Sequence, residues 1–237
     1  LSAEQGICVF KGIALETSGR IGSIALVESG QVLAEEEFPH GLRHAAGIIG
    51  ILDRLTRAQK WTPRGIEEIY VSTGPGSFTG LRVGITVAKT LAFSIGAKLV
   101  AVPSTEVLVH NAPADWQNSI IVLDAKRGQI FTARFVNVEG NPAIAEPAHL
   151  DTLAEMLARS PRPVHLIGEG IPYHRAAIPE DAQVIITDEA AWRARAAVVA
   201  QIGSRLARAG HFVDPQALAP LYIRRPEAEE KWEQLHP

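Results

Sequence analysis

Hydrophobic positions change their spacing several times along the first hundred residues. The runs 9–15, 21–27 and 31–38 are short and apolar-rich, separated by Thr17-Ser18-Gly19-Arg20 and by Glu28-Ser29-Gly30, and they predict three strands in a meander. The spacing then lengthens. Ile48, Ile49, Ile51, Leu52 and Leu55 occupy helical positions, predicting a helix over 42–59 that Thr62-Pro63 ends. An apolar run at 66–71 predicts a fourth strand, residues 80–95 a second helix, and residues 98–102 a fifth strand.

A second unit is expected to begin near Pro103. Residues 119–124 and 129–137 alternate as strands around Lys126-Arg127-Gly128, and Glu139-Gly140-Asn141-Pro142 reads as a break in the chain. A short helix is predicted over 150–158, short strands over 164–167 and 183–186, and a long alanine-rich helix over 189–209 that ends at Gly210. Residues 137–188 hold no landmark. The tail from Arg224 to Lys231 reads as a charged, solvated end.

Three antiparallel strands followed by alternating helix and strand is the layout of a ribonuclease-H-like half. Such halves occur in pairs in the actin-like ATPase (ASKHA) fold. The expected architecture is therefore α/β and two-lobed, with residues 1–103 as the first lobe and 104–237 as a smaller, reduced second lobe in which no repeat of sequence is visible.

The stretch from Ser72 to Gly84 stands out within this layout. Gly74-Pro75-Gly76-Ser77 lies between a strand and a helix, where Gly74 and Gly76 permit unusual backbone angles and Pro75 stiffens the turn. Thr79 or Ser77 is placed to cap the helix. The turn is no Walker loop, because no Gly-Lys-Ser/Thr closes it. Beyond it Gly80, Gly84, Ala88, Ala92 and Gly96 recur at every fourth position. Glycine within a helix costs about 1 kcal/mol relative to alanine, so a close backbone approach is expected along this stripe. The approaching partner is either the chain's own lobe or a helix of another subunit. Val83, Val87, Leu91 and Ile95 form an adjacent apolar row suited to the chain's own sheet.

The eleven residues Gly74-Pro75-Gly76-Ser77-Phe78-Thr79-Gly80-Leu81-Arg82-Val83-Gly84 resemble the signature of the bacterial TsaB (YeaZ) family. Ile13-Ala14-Leu15-Glu16-Thr17-Ser18 resembles that family's opening strand and its Asp-Thr-Ser/Ala end. Leu123-Asp124-Ala125-Lys126-Arg127-Gly128-Gln129-Ile130-Phe131 resembles its Asp-Ala-Arg-x-Gly-Glu-Val-Tyr segment, and Pro220-Leu221-Tyr222-Ile223-Arg224 its Pro-x-Tyr-Leu-Arg. The resemblance spans nearly the whole chain. It implies a non-catalytic partner of the TsaD-type subunit in threonylcarbamoylation of adenosine 37 of tRNA (t6A formation). It also implies a TsaE-like ATPase as a further partner, tRNA met mainly through the complex, and a homodimer when the chain is free. The two helices at 42–59 and 80–95 are the implied docking surface, with Gly47, Gly50, Gly80, Gly84, Ala88 and Ala92 as interface residues.

Composition agrees with this picture. Of 237 residues, 46% are hydrophobic and 21% charged, and a net charge of −3 makes the chain a weak attractor of nucleic acid on its own. Cys8 is the single cysteine, which excludes an internal disulfide and suits the cytoplasm, and it is expected as a small buried hydrophobe. No apolar run approaches the roughly 20 residues that span a bilayer, and no signal-peptide pattern opens the chain.

Candidate chemistry is sparse. In the ASKHA group the loop after the first strand approaches nucleotide phosphates, so Glu16, Thr17, Ser18, Gly76, Ser77 and Asp124 are the candidate nucleotide-binding residues. Glu16 stands where the family pattern has Asp, which alters any tight metal geometry. A Glu16–Asp124 pair facing a cleft would hold Mg-nucleotide. ATP or ADP with Mg is thus a weak or vestigial cofactor here, with none required. No metal site of its own is expected. TsaD carries a His-x-x-x-His pair just after the strand equivalent to 98–102, whereas this chain keeps only His110 there. His40 and His44 stand four apart without a third ligand, and Ala45 takes the place of the glutamate of a zinc peptidase. Ser77 is flanked by Pro75 and Thr79 where a nucleophile elbow needs glycine. The rival readings are an ATP-dependent small-molecule kinase of the same fold and a peptidase.

Overall fold

A computed structural model describes residues 10–39 and 44–224. Cys8 and His40 lie outside the described residues, as do the side chain of His44 and the tail beyond Arg224. The chain divides into two compact units. The first comprises the described residues up to Ser72, then Phe78–Val102 and Arg195–Ala219. The second comprises Thr73–Ser77, Pro103–Ala194 and the described residues from Pro220.

In the first unit, β1 (Lys11–Glu16), β2 (Ile21–Glu28) and β3 (Gln31–Pro39) form the predicted meander. Ser29 and Gly30 both adopt left-handed backbone angles, φ 51° and 89°, between the paired Glu28 and Gln31, the two-residue turn that matches strand twist. Then follow α1 (His44–Ala58), β4 (Glu68–Ser72), α2 (Phe78–Ile95) and β5 (Lys98–Val102). The strand order is β3-β2-β1-β4-β5, with β4 parallel to both β1 and β5. One face of the sheet, with Ile13, Leu15, Ile24, Leu26, Ile69 and Val71, packs on Ile48, Ile51 and Leu52 of α1 and on Ile85, Ala88 and Ala92 of α2. Because β1 and β4 are covered on both faces, Ile13-Ala14-Leu15 and Ile69-Tyr70-Val71 are buried at consecutive positions rather than at alternate ones. By length and a hydropathy of 1.2, α2 qualifies as a membrane span, but seven of its residues, Leu81 and Ile85 among them, are buried within the unit.

The second unit contains α3 (Ser104–Val109), β6 (Asn118–Asp124), β7 (Ile130–Val138), β8 (Asn141–Asp151), α4 (Leu153–Arg159), β9 (Val164–Ile167) and β10 (Val184–Ile186). Its order, β10-β9-β6-β7-β8, repeats the pairing of the first sheet, three antiparallel strands flanked by two parallel ones. All five strands are kept, so the reduction of this lobe lies in its helices. α3 and α4 have 6 and 7 residues, against 15 and 18 in α1 and α2.

Four sequence expectations change here. The break at Glu139-Gly140-Asn141-Pro142 is a hairpin turn with φ 52° at Glu139 and 84° at Gly140, and it leads into β8. β8 was masked by Pro142 and Pro147, which an edge strand tolerates. The long helix predicted over 189–209 is two elements. Glu189–Trp192 is a single 3-10 turn capped by Asp188, and α5 (Ala196–Arg208) follows after extended backbone at Arg193 and Arg195. Asn111 Nδ2 donates to the carbonyls of Ala191 (3.1 Å) and Arg193 (2.7 Å), taking acceptors that a continuous helix would need.

The domain division is the third change. α5 belongs to the first unit, not to a lobe spanning 104–237. It covers the sheet face opposite α1 and α2, since Ser23 Oγ accepts the Ala196 N–H at 2.8 Å and Ser204 Oγ donates to the Tyr70 hydroxyl at 3.3 Å. Ser23 and Tyr70 alternate with the Ile24, Ile69 and Val71 of the other face. Arg224 is likewise no solvated end: its guanidinium donates to the Ala125 carbonyl and to Gln129 Oε1, clamping the β6–β7 loop.

Candidate functional site

The signature turn leaves β4 at Ser72 and reverses direction through a cis Gly74–Pro75 peptide, with Gly74 at φ 109°, where a side chain would be strained. Two hydrogen bonds to one buried residue hold it. The Gly74 N–H donates to Ser104 Oγ (3.1 Å), and the Ser104 N–H donates to the Gly74 carbonyl (2.8 Å). A third bond ties in the C-terminal motif, with the Leu221 N–H donating to the Thr73 carbonyl at 2.8 Å. Gly76 and Ser77 end the turn half-buried. Ser104 was not singled out by sequence. Its only signal was its place after Pro103 at the start of a short helix.

At the end of β1, Glu16 is wholly buried and its Oε1 accepts the Ser18 N–H at 2.5 Å. The Thr17 N–H donates to Ser72 Oγ at 3.4 Å, and the Thr17 side chain lies against Gly84 of α2. These residues belong to the first unit, whereas Gly76, Ser77 and Asp124 belong to the second. Asp124 closes β6. Its Oδ2 pairs with Lys126 Nζ at 2.6 Å, and its Oδ1 accepts the Lys126 N–H at 3.1 Å with His174 Nε2 at 3.3 Å. Burial opposes ionisation of Asp124, but the Lys126 ammonium and N–H, helped by His174, outweigh it and hold the carboxyl below its ordinary value. His174, 50 residues away in sequence, gave no earlier sign of this contact.

Neither carboxylate fits the Mg-nucleotide role that the fold suggests. A Mg²⁺ ion needs accessible oxygen ligands in near-octahedral geometry. Glu16 is closed in by its own loop, and Asp124 is already ion-paired. Among the described residues no group of three or more His, Cys, Asp or Glu could hold a metal. The His110 ring sits with Nδ1 2.7 Å from the Glu106 carbonyl oxygen, a capping contact at the end of α3.

The small-residue stripe resolves against its intermolecular reading. Gly80, Gly84, Ala88 and Ala92 are buried inside the first unit, and a Cβ at Gly84 would run into Thr17. These four are core positions, and Gly96, at φ 73°, is the C-terminal stop of α2. Gly47 and Gly50 differ. Both are exposed on α1, and a Cβ added at either would meet nothing within 4 Å. The outward surfaces of the two helices carry large apolar groups instead: Phe93 is 88% exposed, Ile49 48% and Phe78 39%. The Arg82 guanidinium stacks 4.8 Å from the centroid of the Phe78 ring. Sequence reasoning passed over Phe93 because a lone aromatic among Thr, Ser and Ala has no motif.

A family model described as TsaD, tRNA N6-adenosine threonylcarbamoyltransferase, matches residues 40–232. The tRNA threonylcarbamoyladenosine biosynthesis protein TsaB of Bacillus subtilis is 31% identical over 225 residues, covering 93% of this chain and 96% of the relative. Its namesake in Escherichia coli is 28% identical over 129 residues, 52% of this chain and 54% of its own. The solved structure of YeaZ from Pseudomonas aeruginosa superposes with a TM-score of 0.76 at 20% identity, covering 90% of this chain and 99% of that one. The α/β fold is thus of the ASKHA type, and with the signature turn, the paired sheets and these similarities the chain belongs to the TsaB (YeaZ) family, related to TsaD.

Proposed function

We propose that this chain is a non-catalytic partner subunit in tRNA threonylcarbamoyladenosine biosynthesis, docking a TsaD-type catalytic subunit through the outer faces of α1 and α2. Family membership carries the pathway, and the exposure of Phe93 on an otherwise well-packed helix carries the surface. A phenyl ring left in water on a rigid helix is what a hydrophobic contact with a partner needs. Gly47 and Gly50 leave the neighbouring helix smooth enough for close approach. The docked subunit would help TsaD transfer threonylcarbamoyl to N6 of adenosine 37, with a TsaE-type ATPase resetting the complex. Net charge of −3 leaves the main phosphate contacts to other subunits. The free chain would pair with itself through the same apolar surface.

The deciding experiment is t6A formation on tRNA by the organism's TsaD, TsaE and adenylate-forming enzyme, with and without this chain. A strict requirement that Phe93→Asp abolishes, at unchanged melting temperature, supports the reading. Product formation independent of the chain refutes it. ATP turnover by the chain alone, lost in Asp124→Ala, would favour the small-molecule kinase in its place.

A further inference from the structure

A pocket of about 340 Å³ opens in the first unit at the N-terminal ends of β4 and β5, the opposite strand ends from Glu16 and Ser72. That volume is within the range of small-molecule sites. Glu68 and Lys98, the first residues of the two strands, are partners in the parallel register, and Tyr70 follows two places on, so all three point to the α5 side of the sheet. Phe10 and Phe212 supply apolar wall, and Arg208 of α5 completes the lining.

The charges in this pocket are held apart. Glu68 is 8% exposed, and it accepts a hydrogen bond from the Tyr70 hydroxyl. Among the described residues no cation lies within ion-pairing distance of it, although Lys98 stands directly across the register. The Lys98 ammonium lies instead over the Phe212 ring, 4.6 Å from its centroid. Arg208 spends one N–H on the Ser29 carbonyl at 2.9 Å, and among the described residues the rest of its fork makes no hydrogen bond. A buried carboxylate without a cation is costly, and so is the glycine that makes room for its partner. Gly203, inside α5, lies so close to Tyr70 that a Cβ there would come within 2.5 Å of the ring. Burial, and then the bond to Glu68, push the Tyr70 phenol well above its ordinary value, so it remains a donor throughout the physiological range.

We propose that this pocket binds a small zwitterion with an apolar body, an amino acid being the plainest example, whose ammonium pairs with Glu68 and whose carboxylate bridges Lys98 and Arg208. The separation of charges within one cavity carries the inference: an anion alone would leave Glu68 unmatched, and a cation alone would leave Lys98 and Arg208 unmatched. Phe10 and Phe212 then face the side chain.

Isothermal titration of the full chain with L-phenylalanine, L-leucine, 3-phenylpropionate and phenethylamine tests it. The last two each lack one of the charges of L-phenylalanine. Saturable binding of an amino acid at millimolar concentration is expected, weakened roughly tenfold or more when either charge is missing. In Glu68→Gln, L-phenylalanine should fall to the affinity of 3-phenylpropionate. In Lys98→Gln, an exposed position where the fold is not at risk, it should fall towards that of phenethylamine. Absence of saturable heat with both amino acids overturns the proposal. So does equal binding of the three phenyl compounds, or binding unchanged in Lys98→Gln.

Discussion

Gly84→Ala separates the inward reading of the small-residue stripe from the outward one. Position 84 lies in α2, buried, with an ordinary helical backbone, so a methyl group there gains about 1 kcal/mol of helix propensity if space allows. Space does not allow it. The added Cβ would overlap Thr17 Oγ1 and stand 3.1 Å from Thr17 Cγ2 and 3.2 Å from Thr17 Cβ. Rotating the threonine moves Oγ1 aside, but Cβ stays where the backbone holds it, so part of the strain survives every rotamer. Overpacking of this kind costs about 1–3 kcal/mol, which leaves a net loss near 1 kcal/mol after the propensity gain. For a chain of this size that is a fall of about 2–4 °C in melting temperature. Scanning calorimetry is the assay, because two units need not melt as one. In a Thr17→Ala background, which removes Oγ1 and Cγ2 and leaves only the 3.2 Å contact with Cβ, the same change should cost less, giving a coupling of about 1 kcal/mol. A Gly84→Ala variant that melts higher than wild type, or shows no coupling to Thr17, would refute the packing argument. Loss of partner binding without loss of stability would return Gly84 to the interface.

Gly47→Ala and Gly50→Ala should do the opposite, raising stability by about 0.5–1 kcal/mol each, since both positions face open space. If α1 docks a partner, the same variants bind TsaD more weakly in pull-down or titration, and unchanged binding would argue against close approach at α1. Gly203→Ala should destabilise by about 1–3 kcal/mol, because the Tyr70 ring and its Cβ, 2.5–2.8 Å from the new methyl, have little freedom to move, as urea melts would report. In the second unit, burial opposes ionisation of Glu146 and Asp151, yet hydrogen bonds outweigh it, from Arg134 and Arg159 at Glu146 and from Arg159 and the Thr152 N–H at Asp151, and hold both carboxyls below their ordinary values. Their folded values are depressed, so their contribution is present above the unfolded range near pH 4 and is lost as pH falls through the folded values. The melting temperature should therefore drop below about pH 4, and more shallowly in Arg159→Gln.

How far the sequence could be read depended on whether a feature was local. The strands of the first sheet, the hairpin at Ser29-Gly30 and the turn at Gly74-Pro75-Gly76 are set by apolar runs and by residues suited to unusual backbone angles, so they were legible from neighbours in the chain. The family signature was legible for the same reason, being eleven consecutive residues. β8 was not, because Pro142 and Pro147 argue against a strand unless its edge position is known, and that position exists only once the sheet has formed. The break before α5 was equally hidden, since it depends on Asn111 bonding carbonyls some 80 residues onward. A period of four small residues says that something approaches closely but not what, and only the packing of α2 on Thr17 assigned Gly84 to the core and left Phe93 in solvent. The pairing of Asp124 with His174, and the facing of Glu68 and Lys98 without an ion pair, arise where strands and helices distant in sequence meet. Local backbone preference determined the elements and the family; long-range packing, which no window of sequence contains, decided which faces are buried and which charges meet.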